Sequence, residues 1–143
     1  MEHKYKSYAK INSYLNVMSK LDNGYHEILT HFQIIDIYDE ILFKESDESV
    51  IDSNEKVIKD NNSISKTIEW FNKKYGVNQK FKIKIKKSIP IGAGLGGGSS
   101  NAATALRFLA KFYNIQVKDI DNKEIALALG ADVPVFVHKK SCY

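Results

Sequence analysis

An α+β domain is predicted for this 143-residue chain by three observations. Strict alternation in Phe81-Lys-Ile-Lys-Ile-Lys-Lys87 sets apolar residues on one side of a strand and lysines on the other. Ala102, Leu106, Leu109 and Tyr113 then recur at helical spacing. Between them lies Pro90-Ile-Gly-Ala-Gly-Leu-Gly-Gly-Gly-Ser-Ser100, a strand-to-helix junction with glycines at 92, 94, 96, 97 and 98. No internal repeat, heptad or interdomain linker breaks the pattern.

From the amino end, Tyr8 to Met18 alternates irregularly, with Ile11, Tyr14, Leu15 and Val17, and predicts an early strand whose polar residues face a cleft. Asp22-Asn-Gly24 reads as a turn, because Asn and Gly adopt backbone angles that other residues resist. Glu27 to Phe43 is rich in Ile, Leu and Phe but broken near Asp36 to Glu40, which predicts two or three strands. Glu45 to Asn61 is polar and acidic, with isolated Val50, Ile51, Val57 and Ile58, the composition of a loop holding short strand pieces. A helix starts near Asn62 or Ser63, either of which can cap it, carries Ile64, Ile68, Phe71 and Tyr75 on one face, and stops at Gly76. In the strand that follows, Lys82, Lys84 and Lys86 suit a solvated face, with an anion-facing role as the alternative. The helix after the glycines begins near Ser99, and a last helix runs near Ile120 to Leu129, with capping-box spacing from Asp121 to Glu124 and a stop at Gly130. Val133-Pro-Val-Phe-Val137 reads as a final strand with Pro134 near its start.

The chain can bury a real core yet is small for a complete two-substrate enzyme. Its apolar fraction of 43% and charged fraction of 27% are those of an ordinary globular protein. Lys plus Arg number 21 against 17 acidic residues, and the resulting +4 is too small to identify nucleic acid as a partner, while it suits anionic small molecules. Cys142 is the only cysteine, so no internal disulfide or cysteine-built metal cluster forms, which is consistent with a reducing cytosol. The first residues lack the apolar run of a secretion signal, and no stretch approaches the roughly 20 apolar residues of a membrane helix, so a cytoplasmic protein without a membrane partner is expected. Histidines 3, 26, 31 and 138 show no zinc spacing.

A glycine run of this length costs conformational entropy that a plain turn does not require. Small residues let several amides approach one anion, and the helix that follows adds its positive end, so phosphate binding is the direct physical implication. The Gly-Lys-Ser/Thr ending of a P-loop is absent, and no acidic residue closes a strand pair where a dinucleotide-binding unit needs one. Ser99 and Ser100 are left to donate to phosphate oxygens or approach a metal ion.

The loop resembles the Pro-x-x-x-Gly-Leu-x-Ser-Ser motif of the small-molecule kinases named for galactose, homoserine, mevalonate and phosphomevalonate, in an expanded form. Ala9-Lys-Ile-Asn12, Asp22-Asn-Gly-Tyr-His-Glu27 and Leu129-Gly-Ala-Asp-Val-Pro-Val-Phe136 extend the likeness over nearly the whole chain. They narrow it to members acting on a cytidine diphosphate-linked methylerythritol. The resemblance implies a ribosomal protein S5 domain 2-like fold, with residues 1–143 an amino-terminal, nucleotide-binding kinase domain incomplete at its carboxy end. The second domain that completes the substrate pocket is expected to be absent, which leaves the 143 residues alone inactive. ATP is implied as phosphate donor, with Mg2+ accompanying it through unspecified ligands, in isoprenoid precursor synthesis by the non-mevalonate pathway. The alternatives are another kinase of the same family with a different acceptor, or a non-enzymatic nucleic-acid-binding module built on the lysine strand.

By the same resemblance Asp132 is the catalytic aspartate, and Lys10 pairs with it and with the reacting hydroxyl. Such a lysine keeps the carboxylate ionised and stabilises developing alkoxide. Pro90, Ile91, Gly92, Ala93, Gly94, Leu95, Gly96, Gly97, Gly98, Ser99 and Ser100 are implied to hold the nucleotide phosphates. Asn62 is implied to contact adenine, although its local sequence equally predicts an N-cap. Asn12 is implied as a contact to the methylerythritol portion, and Tyr25 and His26 to cytidine, a pair that in isolation also suits a turn followed by packed aromatic residues. Ser13 stands where related members carry an apolar residue.

Overall fold

The computed structural model describes residues 1–24, 26–55 and 62–138, with side chains at all of these except 14, 15 and 26–30. Two long strands, β1 (Glu2–Lys20) and β2 (His26–Ser46), pair antiparallel across the expected turn, where Gly24 N donates to Leu21 O at 3.0 Å. β2 pairs antiparallel with β4 (Lys80–Lys86), and the short β3 (Val50–Ser53) lies parallel to β4, giving the order β1-β2-β4-β3. Parallel neighbours need a crossover connection, and α1 (Ser63–Tyr75) lies in it. Then come α2 (Gly97–Phe112), a 3-10 turn (Val117–Asp119), α3 (Asn122–Leu129) and α4 (Val133–Val137). The expected α+β character is thus observed.

The alternation in β4 is realised, with Phe81, Ile83 and Ile85 buried and lysines 80, 82, 84 and 86 exposed. On the buried side Phe108 of α2 stacks on Phe43 of β2 at 4.2 Å between ring centroids and meets Phe81 edge-on at 5.1 Å. Such ring pairs contribute roughly 0.5 to 1.5 kcal/mol each beyond the area they bury. Asn62 caps α1 by accepting from Ile64 N at 2.7 Å, and Gly76 ends that helix at a φ of +66°. Among the described residues no helix is long and apolar enough to cross a membrane.

Several expectations are corrected. The polar break at Asp36 to Glu40 is no turn, because β2 runs through it as one strand. Partners step from Tyr8 with Tyr38 to Lys10 with Ile34, so β2 advances four residues while β1 advances two. A bulge absorbs the surplus and the ladder resumes beyond it. Single-residue shifts follow between Asn12 and Tyr14 and between Val17 and Ser19.

Val133 to Val137 is not a strand but the short helix α4. Val133, Phe136 and Val137 are buried at helical spacing, and Pro134 sits in the first turn, where a missing N–H removes no helical bond. Arg107 of α2 donates to Phe136 O, and burial pushes its guanidinium down to about 10. α2 begins at Gly97, two residues ahead of Ser99. Asp121 caps α3 through Lys123 N at 3.0 Å, but Glu124 does not close a capping box, since its carboxylate takes Lys74 Nζ at 2.8 and 2.9 Å.

Candidate active site

Gly92, Gly94 and Gly96 hold left-handed φ values of +75°, +74° and +70°, whereas Ala93 and Leu95 between them do not. Alternation of this kind turns successive amides toward a common concavity, which suits an anion. The cavity so formed, of about 180 Å³, is lined by the loop together with Asn62, Ser63, Lys87 and Asn101. Two helix beginnings therefore meet there, α1 through Asn62 and Ser63 and α2 through Gly97 and Gly98. Helix amino ends present unpaired amides and positive partial charge. The first α2 bond runs from Ser100 N to Gly96 O at 2.8 Å, leaving the amides of Gly97, Gly98 and Ser99 ahead of it.

Lys10 is buried on β1 and enters the loop twice, its amide donating to Leu95 O at 2.9 Å and its Nζ to Gly94 O at 3.2 Å. The same Nζ donates to Asn12 Oδ1 at 3.0 Å and lies 5.3 Å from the centre of the Phe32 ring. Asp132, half-buried, occupies the residue before α4 and makes no side-chain capping bond. Among the described residues no ion pair joins Asp132 to Lys10, whose amine is bonded to Asn12 and Gly94. Lys10 and the Phe136 ring of α4 both lie against Gly96, and Gly130, two residues before Asp132, lies beside Ser99 Oγ.

The two serines separate. Ser100 is buried with its hydroxyl 2.9 Å from Ser7 Oγ, so it braces the helix rather than facing the cavity; Ser99 is less buried. Asn62 is buried as the cap of α1 and also lines the cavity. Asn12 is exposed, with its oxygen on Lys10. Tyr25 lies outside the described residues, and of His26 only the backbone is described, opposite Lys20. Ser13 is exposed and bonds His31 Nδ1, so its departure from an apolar residue buries no hydroxyl.

Among the described residues no group of three or more His, Cys, Asp or Glu could hold a metal. Magnesium carried on nucleotide phosphates requires only one or two protein oxygens. The Ser99 hydroxyl, in the first turn of α2, is an oxygen of that kind, and Gly130, two residues before Asp132, lies beside it.

Sequence reasoning missed the support beneath the loop. Asp39 of β2 is wholly buried; its Oδ1 accepts Ser88 N at 2.7 Å and Ile89 N at 2.9 Å, and its Oδ2 takes Lys87 Nζ. A signal was present, since Asp39 alternates in phase with the buried Ile41 and Phe43 and so points inward.

A family model described as the GHMP kinases N terminal domain matches residues 62–140. The 4-diphosphocytidyl-2-C-methyl-D-erythritol kinase of Francisella tularensis subsp. novicida is 44% identical over 144 residues, covering 98% of this chain and 52% of that protein. Its namesake from Thermotoga maritima is 41% identical over 132 residues, covering 92% of this chain and 48% of the relative. A crystal structure of 4-(cytidine 5'-diphospho)-2C-methyl-D-erythritol kinase superposes with a TM-score of 0.79 at 30% identity, covering 97% of this chain and 50% of that one. The chain spans about half the length of the curated relatives it matches.

Proposed function

The chain belongs to the GHMP kinase family, and from that premise we propose that its protein is a kinase of the isoprenoid precursor pathway. In this proposal the terminal phosphoryl group of ATP passes to the 2-hydroxyl of 4-diphosphocytidyl-2-C-methyl-D-erythritol, leaving ADP and the 2-phosphate. The observation that carries the acceptor is the 44% identity to a kinase of that name across 98% of the chain. Phosphoryl-transfer chemistry is supported by the meeting of the glycine loop and two helix beginnings around one cavity, with Lys10 bonded to Gly94 of that loop.

Phosphoryl transfer leaves a protein mainly the tasks of alignment and charge stabilisation. The acceptor oxygen bonds to the γ-phosphorus, the bond to the bridging oxygen of ADP breaks, and the hydroxyl proton passes to the Asp132 carboxylate. Asp132 suits this task because it is half-buried and uncommitted to a helix cap. Lys10 stabilises charge on the transferring oxygens, with two of its bonds fixing the ammonium against Asn12 and Gly94. Asn12 thereby couples the acceptor side to the position of Lys10. Amides from Ile91 to Ser99 hold the phosphates and Asn62 lies on the adenine side, while Tyr25 and His26 meet cytidine. Mg2+ carried on the nucleotide would be held by Asp132 and Ser99 and would supply neutralising charge.

The test uses the protein expressed from its complete reading frame. Acceptor-dependent conversion of ATP to ADP is followed with the cytidine diphosphate alcohol, mevalonate, homoserine and sugars. Turnover on the first supports the reading. Turnover confined to any of the others rejects the acceptor, and salt-dependent nucleic-acid binding without ATP binding rejects the kinase.

A further inference from the structure

We propose that Asp39 is a positioning residue that sets the shape of the phosphate loop by holding its start and its end to one buried carboxylate. The proposal rests on the phosphoryl-transfer reading above and adds a residue 48 positions ahead of Lys87 in the chain. Ser88 and Ile89, whose amides donate to Oδ1, immediately precede Pro90. Asn101 immediately follows Ser100, and because Asp39 and the Gly97 carbonyl can only accept, its amide nitrogen faces them, donating to Asp39 Oδ2 at 3.1 Å and Gly97 O at 3.2 Å. The carboxylate thus grips both limbs of the loop.

Its counter-ion completes the clamp. Lys87 Nζ pairs with Oδ2, and both side chains are almost fully buried, at 4% and 0% exposure. The amine reaches beneath the first turn of α2, since a Cβ added to Gly97 would stand 3.2 Å from it. Ser7, opposite Asp39 in the β1–β2 register, bonds Ser100 and ties the far limb to the sheet. A buried ion pair is an inefficient source of stability, because apolar replacements of similar volume are often as good. Convergent directional bonds do enforce one geometry, and here that geometry is the spacing of the loop amides. Without it, nucleotide must order the loop as it binds, which lowers its affinity and leaves the acceptor side untouched.

Two substitutions in the protein from its complete reading frame separate positioning from folding. Asp39→Asn keeps an oxygen for the Ser88 and Ile89 amides and loses the charge opposite Lys87, whereas Asp39→Ala removes every bond. ADP affinity is measured by calorimetry, and amide hydrogen exchange is compared between residues 88–101 and the β1–β2 ladder. Affinity is expected to fall about tenfold for Asn and about a hundredfold for Ala, with faster exchange confined to 88–101. The KM for ATP rises while that for the acceptor does not. Wild-type ADP affinity in folded variants overturns the proposal, as does exchange that rises evenly across the chain. If Ala does not fold, Asn decides by the same two measures. A wild-type protein that binds ADP but phosphorylates no tested acceptor defeats the acceptor reading alone, and binding and exchange still decide Asp39.

Discussion

Gly96 rests against the ring of Phe136, so closely that a Cβ added at Gly96 would stand 2.8 Å from Phe136 Cζ. The phosphate loop and α4 are therefore in contact at a point that admits no side chain. Gly96 also holds a φ of +70°, a conformation that costs a non-glycine residue about 1 to 3 kcal/mol. Gly96→Ala is expected to lower the melting temperature and weaken ADP binding together. Gly98, with nothing within 4 Å and an ordinary helical φ, should behave oppositely, and Gly98→Ala gains roughly 0.5 to 1 kcal/mol in thermal unfolding. Equal melting temperatures for the two variants would remove the significance given to the Phe136 contact.

Asp132→Asn should retain the fold and ADP affinity while kcat falls about 10² to 10⁴-fold, the usual contribution of a positioned proton acceptor. Asp132 caps no helix, which is why little stability is lost. Steady-state kinetics at saturating ATP and acceptor checks this, and near-normal turnover would strip Asp132 of its role.

Lys10→Met preserves most of the buried stem and discards the ammonium. Turnover should drop about a hundredfold or more, in line with the loss of one preorganised charge. Lys10→Arg should not rescue it, because the slot between Gly96 and Phe32 is closed and a planar guanidinium needs a different shape. Recovery of wild-type kcat by arginine would show that charge alone matters there.

For Asn62, capping and nucleotide contact can be separated by chemistry. Asn62→Ala should cost about 1 kcal/mol of stability, whereas Asn62→Ser restores the cap with a shorter side chain. If the adenine contact is real, Ser regains the melting temperature and not the ADP affinity. Full recovery of both would leave Asn62 as a cap only.

Legibility followed how local the physics was. β4, α1 and the glycine junction are dictated by alternation, a cap and backbone freedom within short windows, and all three stand where the sequence predicts them. The α4 segment misled because Val-Pro-Val-Phe-Val alternates like a strand, while its conformation is decided by Arg107 and by burial of Val133, Phe136 and Val137. The Ser100 hydroxyl is likewise decided at a distance, since only the arrival of Ser7, remote in sequence, turns it inward. At the candidate site, Lys10 and the loop could be read from motif, but the bonds that hold the amine to Asn12 and Gly94 could not.

The bulge opposite Tyr8 and Lys10 has a parity. Its surplus on β2 is even, so the residues from Ile34 to Phe32, ahead of the next shift, keep the sidedness they would have had in an uninterrupted ladder. Phe32 consequently still reaches the ammonium of Lys10 from the neighbouring strand. Removing a single residue among Ile35, Asp36 and Ile37 would turn Phe32 and Ile34 to the opposite surface, whereas removing two would merely straighten the strand. The tolerance of this segment to change in length is thus expected to be quantised in pairs, a restriction on drift and on engineering that no individual contact reveals.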